Sequence, residues 1–539
     1  MSENHNTGRD ARAQEQARLD AMQQRLDAAI GEVEQRMRAY AQDVKDQVEY
    51  MWEQRREMDF IEKIASRQSI EQSELSGEAL DQHRTRLLKL KKSPWFGRFD
   101  FRADDSDIAQ PFYIGVHHFH DEKAGQTLVH DWRAPVATLF YDYENGPGRY
   151  LTPSGPVSGN IERKRQFRIR YHNIELMIDS AVNIVDDVLL ETLNESSDAH
   201  MREIVATIQR DQNAIIRNED AQVLVIQGVA GSGKTSIALH RIAFLLYRFR
   251  DTLSSEDILI ISPNRVFADY IANVLPELGE EEVRELGMED VATALLEGQY
   301  QLQTFFEQTE ALLTSSDDSL KARIRFKANP EFLRQLRRYA EHVEKKRFRD
   351  EDLWVARRLV PGFLLAEVFA KHKRLPLSQR VAQTTHEVTR KIAQEYKYEL
   401  IPDEVRQLRE AIRDRVNKQT LRQAYRDFYD WLGKPEMFRP AGNRFEYADV
   451  FPLIFLKMQL EGVRSPYRDV RHLLIDEMQD LWSFNLIIAG TAFPWRCAAR
   501  RRAQAMTVAI GKHGNAAARC HGSARRVGLS ASMAAFRPW

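Results

Sequence analysis

Between about residues 11 and 75, apolar side chains recur at spacings of three and four: Leu19, Met22, Leu26, Ile30, Val33, Met37, Tyr40, Val44, Val48 and Met51. The intervening positions are mostly Gln, Glu, Arg, Asp and Ala, so one helix face is apolar and the rest is wet. That is the pattern of a coiled coil or a long helical hairpin. Ser76-Gly77 interrupts it, and Leu80, Leu87, Leu88 and Leu90 give a return helix over residues 78–92 a stripe to pack back with. Ser93-Pro94 closes that helix. An oligomerisation coil and a reaching arm fit the pattern equally well.

From Trp95 to about Asp179 the period shortens. Phe99-Asp-Phe101, Phe112-Tyr-Ile114-Gly-Val116, Leu139-Phe-Tyr141, Gly148-Arg-Tyr150 and Phe167-Arg-Ile169-Arg-Tyr171 are short aromatic and β-branched runs between Pro, Gly and Asp. They predict a small β-rich module. Its histidines His117, His118, His120 and His130 come without Cys or an H-E-x-x-H helix, and read as surface or strand-end residues. Helical spacing resumes over residues 189–218. Val223-Leu224-Val225-Ile226 and Ile258-Leu-Ile-Ile261-Ser-Pro-Asn264 then read as buried strands around a helix, the alternation of a parallel sheet. Residues 280–443 are charged and helical in pattern, with aromatics such as Phe326, Phe348, Trp354, Tyr425, Phe428, Tyr429 and Trp431. They read as an insertion, because the next sheet strand, His472-Leu-Leu-Ile475, comes after them. Lys345-Lys346-Arg347-Phe348-Arg349 reads as a wet helix face, with nucleic-acid contact as its functional alternative.

Composition changes this picture in one place. The 539 residues have length for about three or four domains, and Lys+Arg 78 against Asp+Glu 79 leaves almost no net charge. Yet between Ser483 and Trp539 there are nine basic residues and no Asp or Glu, and both cysteines, Cys497 and Cys520, fall there. The main body therefore has no disulfide staple, as in a reducing compartment. No apolar run has the roughly 18 residues of a membrane span, and the polar start lacks a signal-peptide core. The expectation is a cytoplasmic protein with no membrane partner.

The candidate chemistry lies between the two predicted strands. Gly228, Val229, Ala230, Gly231, Ser232, Gly233, Lys234 and Thr235 form a G-x-x-x-x-G-K-[ST] loop, followed by Ser236 at the head of an apolar helix. Glycines let backbone N–H groups approach phosphate oxygens, and the helix start lies beneath them. Lys234 supplies charge to the outer phosphates, and the Thr235 hydroxyl suits Mg²⁺. After the His472 strand come Asp476, Glu477, Met478, Gln479 and Asp480. In a doubly wound sheet both groups lie at the carboxyl edge, where Asp476 would hold Mg²⁺ and Glu477 would act as general base toward the attacking water. The expected cofactors are ATP and Mg²⁺.

Taken together, Gln212, the loop from Gly228 to Thr235, Ile261-Ser-Pro-Asn264 and Asp476-Glu-Met-Gln-Asp480 resemble superfamily 1 helicases of the UvrD and Rep type. Val225-Ile-Gln-Gly-Val-Ala-Gly-Ser-Gly-Lys-Thr235, His130-Asp-Trp-Arg-Ala-Pro135, Lys164-Arg-Gln166, Ala206-Thr-Ile-Gln209 and Val274-Leu-Pro-Glu-Leu-Gly279 narrow the resemblance to the HelD family, helicase-like ATPases associated with bacterial RNA polymerase. The resemblance implies an α/β fold with a RecA-like P-loop parallel sheet domain, an N-terminal coiled-coil hairpin, a small β-rich module and a large helical insertion. By position it implies an N-terminal arm over 1–92, the β-rich module over 93–182, the sheet domain over 183–279 and 444–480, and the insertion over 280–443. It implies Gln212 as the adenine-reading residue, Lys234 and Thr235 as phosphate and Mg²⁺ ligands, and Asp476, Glu477 and Gln479 as hydrolysis and coupling residues. Its implied partner is RNA polymerase core, with DNA or RNA beside the second arm, and its implied work is the release of stalled complexes. A UvrD-like DNA translocase and a non-catalytic polymerase-binding protein are the competing expectations.

The chain departs from the family after Asp480. No G-D-x-x-Q motif and no second RecA-like domain follow, Arg500-Arg-Arg502 has no such setting, and residues 481–539 read as an anomalous basic tail of frame-shifted character. The expectation is a motor truncated after its second carboxylate motif, with weak ATP binding and slow turnover, because an arginine finger is worth roughly 10³ to 10⁵ in rate.

Overall fold

The computed structural model describes residues 3–53, 77–170, 172–179, 208–221, 223–228, 233–262, 274–314, 318–373, 375–417, 419–461, 466–467, 469–476 and 506–511. The chain forms two compact units: Met1–Glu219, Ser236–Ser255 and Tyr270–Glu282 make the first, and Asp220–Thr235, Glu256–Asp269 and Val283–Trp539 the second.

The first unit begins with a helix of 51 residues, Glu3–Glu53, which at 1.5 Å per residue is about 77 Å long. Its predicted seam is buried from Leu19 through Met22, Leu26 and Ile30 to Val33, in one cluster with Leu87 and Leu90 of a helix over residues 77–92 and with Trp95, Tyr113 and Phe167 of the β module. Polar bonds hold the two helices in register: Gln23 Nε2 donates to the Lys91 carbonyl at 2.9 Å, and Arg84 pairs with Glu34 at 2.9 Å. Past Met37 the seam comes into solvent. Tyr40, Val48, Tyr50 and Trp52 are exposed, Trp52 at 74%.

The β module follows as β1 (Gly97–Ala103), β2 (Gln110–Gly115), β3 (Phe119–Asp121), β4 (Gln126–Asp131), β5 (Gly146–Thr152), β6 (Gly155–Arg170) and β7 (Asn173–Asp179). They form one sheet in the order β3-β4-β2-β1-β6-β5, with β7 also on β6. The long β6 takes β1 along one side, and on the other takes β5 along its first half and β7 along its second. The long helix is pinned to this sheet by buried Glu15, which accepts from Arg98, from Arg165 at 2.9 Å and from the Tyr113 hydroxyl at 2.9 Å. One predicted strand is wrong: Leu139-Phe-Tyr141 lies in a helix, Thr138–Asp142, entered through the turn Pro135–Ala137. All three side chains are buried, and a short apolar run does not itself distinguish strand from helix. Here Pro135 at the start of the turn decides for helix.

In the second unit β8 (Val223–Gln227), β9 (Ile258–Ile261), β10 (Arg284–Leu286), β15 (His472–Ile475) and β16 (Met506–Gly511) form a sheet in the order β10-β9-β15-β16-β8. Every pairing is parallel. Two strands come from unexpected places. β10 lies inside the segment read as a helical insertion, and β16 lies inside the basic tail. The helix Tyr447–Leu460, apolar almost all round, packs beside the sheet in one core with Leu259, Ile261, Leu473 and Ile475.

The rest of 280–443 is mainly helical, with the small pairs β11 (Gln301–Leu302) with β14 (Arg444–Phe445), and β12 (Leu353–Val355) with β13 (Arg358–Val360). A second core gathers β12, β13 and the helices Gly362–Lys371, Leu377–Tyr396 and Pro402–Asp414. The run Lys345-Lys346-Arg347-Phe348-Arg349 is split by this packing: Arg347 is buried, and Phe348 stacks on Phe369 at 4.6 Å. Lys345, Lys346 and Arg349 remain on the surface. Among the described residues, no helix is long and apolar enough to cross a membrane.

Candidate functional site

The site is built on strand order. β8 and β15 flank β16, with Ile226 opposite Ile510 and Ile475 opposite Ala509. Since all three run the same way, Gly228 after β8 and Asp476 after β15 leave the sheet at one edge. Two strand spacings, about 10 Å, separate β8 from β15. The helix Lys234–Arg248 closes that gap: the Thr235 hydroxyl donates to Asp476 Oδ1 at 3.2 Å. Asp476 is aimed by its own backbone, whose N–H donates to the Ile261 carbonyl at 3.0 Å. The carboxylate is 2% exposed and Lys234 8% exposed, so both act in a poorly hydrated setting where charge interacts strongly. Gly233 has φ +71°, a left-handed conformation that favours glycine and turns the loop into the helix.

Val229, Ala230, Gly231, Ser232, Glu477 and Gln479, all expected site residues, lie outside the described residues, as do Pro263 and Asn264. Gly228 is described and half-buried.

The first unit carries the remaining expected residues. Ser236 is buried, and its carbonyl accepts from His240 Nδ1 at 2.6 Å. Burial lowers the His240 pKa to about 4 against the opposing effect of that bond, so the ring is neutral at pH 7. Gln212 sits on the helix Arg210–Ile216 as a cap: its Oε1 accepts the Gln209 N–H at 3.1 Å. A glutamine carbonyl has a second lone pair and its amide two N–H groups, so the cap leaves capacity for a base edge.

The sequence reading missed several buried or half-buried cations. Arg217 donates to the carbonyls of Trp132 at 2.7 Å and Arg133 at 3.1 Å, and Arg241 to those of Ile215 at 2.7 Å and Ile216 at 3.0 Å. Arg133 in turn grips Asp131 through two bonds, at 2.8 and 2.7 Å, and also reaches Glu280. The His130-Asp-Trp-Arg-Ala-Pro135 phrase is thus a turn held by ion pairs and clamped by Arg217. The available signal was Arg241 itself, a charge set among Ile, Ala, Leu and Phe in an otherwise apolar helix.

The arrangement offers a hydroxyl and a carboxylate oxygen in contact, at the N-terminus of a helix whose first residue is the buried Lys234. That donor set suits a hard divalent cation bound to a polyphosphate. Residues 12–198 match the family model for the N-terminal domain of DNA helicase IV HelD, and residues 208–488 match that for the UvrD/REP helicase N-terminal domain. No curated protein matches the chain.

Proposed function

We propose, since this chain belongs to the UvrD/REP helicases of superfamily 1 and is of the HelD type, that its parallel sheet is the RecA-like half of an ATP-driven motor acting on RNA polymerase. The observation that carries this is the contact of Thr235 with Asp476 across the strand edge. Each is an oxygen donor, and together they would hold Mg²⁺, which supplies charge neutralisation to the transferring phosphoryl group. Lys234 neutralises the β- and γ-phosphates. Backbone N–H groups of the loop from Gly228 to Gly233 orient them, Glu477 takes the proton of the attacking water, and Gln479 senses the γ-phosphate. Gln212 reads the adenine edge. The reaction is attack of water on the γ-phosphorus, with ADP as leaving group and the proton passing to Glu477.

The helical N-terminal arm supports a remodelling role over strand tracking, because a motor that tracks a strand has no use for a helix about 77 Å long. In this reading the arm enters RNA polymerase, the helical part of residues 280–443 approaches DNA or RNA, and nucleotide state governs release of stalled complexes in the cytoplasm. Removing residues 11–92 would strip Leu19, Leu26 and Leu87 from the core they share with the β module. A cleaner test replaces residues 38–80 with a short Gly/Ser linker. Capture of purified polymerase core should be lost while ATP binding persists. Undiminished capture, or strand displacement on a DNA fork by the intact chain, would favour a DNA translocase instead. Capture without any ATP hydrolysis would favour a passive binding protein.

A further inference from the structure

The first unit contains a cavity of about 850 Å³, lined by both N-terminal helices, the loop after β2, the end of the helix Lys234–Arg248 and Gly279-Glu280. That volume is in the range of small-molecule sites. Charge bookkeeping inside it is uneven. Arg25 is paired with Asp121 at 2.7 Å, Lys123 with Glu32, and Arg133 with Asp131 and Glu280. Arg36, Arg86 and Arg250 also line it, from three separate stretches of chain, and none has an ion-pair partner among the described residues. Glu122 is the one lining carboxylate left outside those pairs. The excess of positive potential is felt by His83, whose pKa is lowered first by burial and then by Arg86, with Arg36 adding to it against Glu122. One wall is apolar, formed by Val33, Leu87, Leu90 and Leu246.

Arg36, Arg86 and Arg250 line one space as like charges, with Glu122 as the single lining carboxylate outside the ion pairs, so positive charge there is in excess. A phosphate group matches guanidinium geometry through paired N–H···O bonds, and an apolar wall beside it accommodates an organic moiety. We propose that this cavity is a second anion site, distinct from the glycine-rich loop, that takes a small organic phosphate on Arg36, Arg86 and Arg250. Bound there, such a ligand bridges both N-terminal helices and the end of the helix Lys234–Arg248, so it braces the root of the arm.

The test uses the full chain carrying Lys234→Ala, which disables phosphate binding at the glycine-rich loop, with inorganic pyrophosphate, ADP and adenosine as probes in equilibrium dialysis and thermal-shift measurements. Pyrophosphate and ADP should bind, ADP the tighter, and adenosine should not. Adding Arg36→Ala and Arg86→Ala should weaken binding by about tenfold or more, and raising salt should weaken it further. Circular dichroism of these variants should be unchanged, since both arginines are exposed. Absence of pyrophosphate and ADP binding to the Lys234→Ala chain, or binding that survives Arg36→Ala/Arg86→Ala/Arg250→Ala, overturns the proposal.

Discussion

At the scale of single residues, the proposed chemistry rests on one hydroxyl, one carboxylate and one ammonium. Asp476→Asn keeps the shape and the bond to Thr235 but removes the charge that would hold Mg²⁺. Steady-state ATP turnover should fall by about a hundredfold or more, with nucleotide binding in EDTA unchanged. Loss of EDTA binding as well would point to a structural role for the carboxylate. His240 sets a pH dependence of a different kind. It folds as a neutral ring with a pKa of about 4, against about 6.5 when unfolded. The unfolded chain therefore binds more protons between those values, so stability is complete above about pH 6.5 and declines as pH falls toward 4. The shift corresponds to about 3 kcal/mol at most. Melting temperatures taken across that window should fall less steeply for His240→Gln than for the parent chain. Equal slopes would remove His240 as the cause.

At the scale of elements, a buried ion network decides how the helices of the second unit meet. Lys327, with no exposed surface, pairs with Asp449 at 2.7 Å and with Glu446 at 2.8 Å, while the Tyr425 hydroxyl donates to Asp449 at 2.7 Å. Lys327→Met would leave Asp449 charged and enclosed, at a cost of about 3–5 kcal/mol in denaturant unfolding. A loss below 1 kcal/mol would mean that water reaches the carboxylate. Lys327, Glu446 and Asp449 were not marked by the hydrophobic pattern, because pairing across helices depends on tertiary neighbours. The strand Val223–Gln227 and the helix Lys234–Arg248 on either side of the glycine-rich loop were legible for the opposite reason: each announces itself by its own period. The long helix Glu3–Glu53 was legible too, since its seam repeats over many turns, although the pattern alone did not reveal that burial stops near Met37. Leu139-Phe-Tyr141 and Met506–Gly511 show the limit. Six residues or fewer carry too little periodicity, so a proline in one case and a vacant place in the sheet in the other decided their form.

At the scale of the whole molecule, the candidate site depends on a segment remote from it in sequence. β16 supplies the ladder that joins the cradle strand to the carboxylate strand, with Val508 opposite both Leu474 and Leu224. Val508→Pro removes a ladder donor from a central strand, a change tolerated at sheet edges and bulges alone. ATP affinity should drop at least about tenfold and the melting temperature should fall together with it. Unaltered affinity would detach β16 from the site. This dependence also orders events at the ribosome. The cradle strand and, much later, the carboxylate strand are translated before the strand that stands between them. Through that interval the nascent chain carries unsaturated strand edges that invite mispairing. Joining of the cradle strand to the carboxylate strand therefore waits on β16, which follows both in the chain.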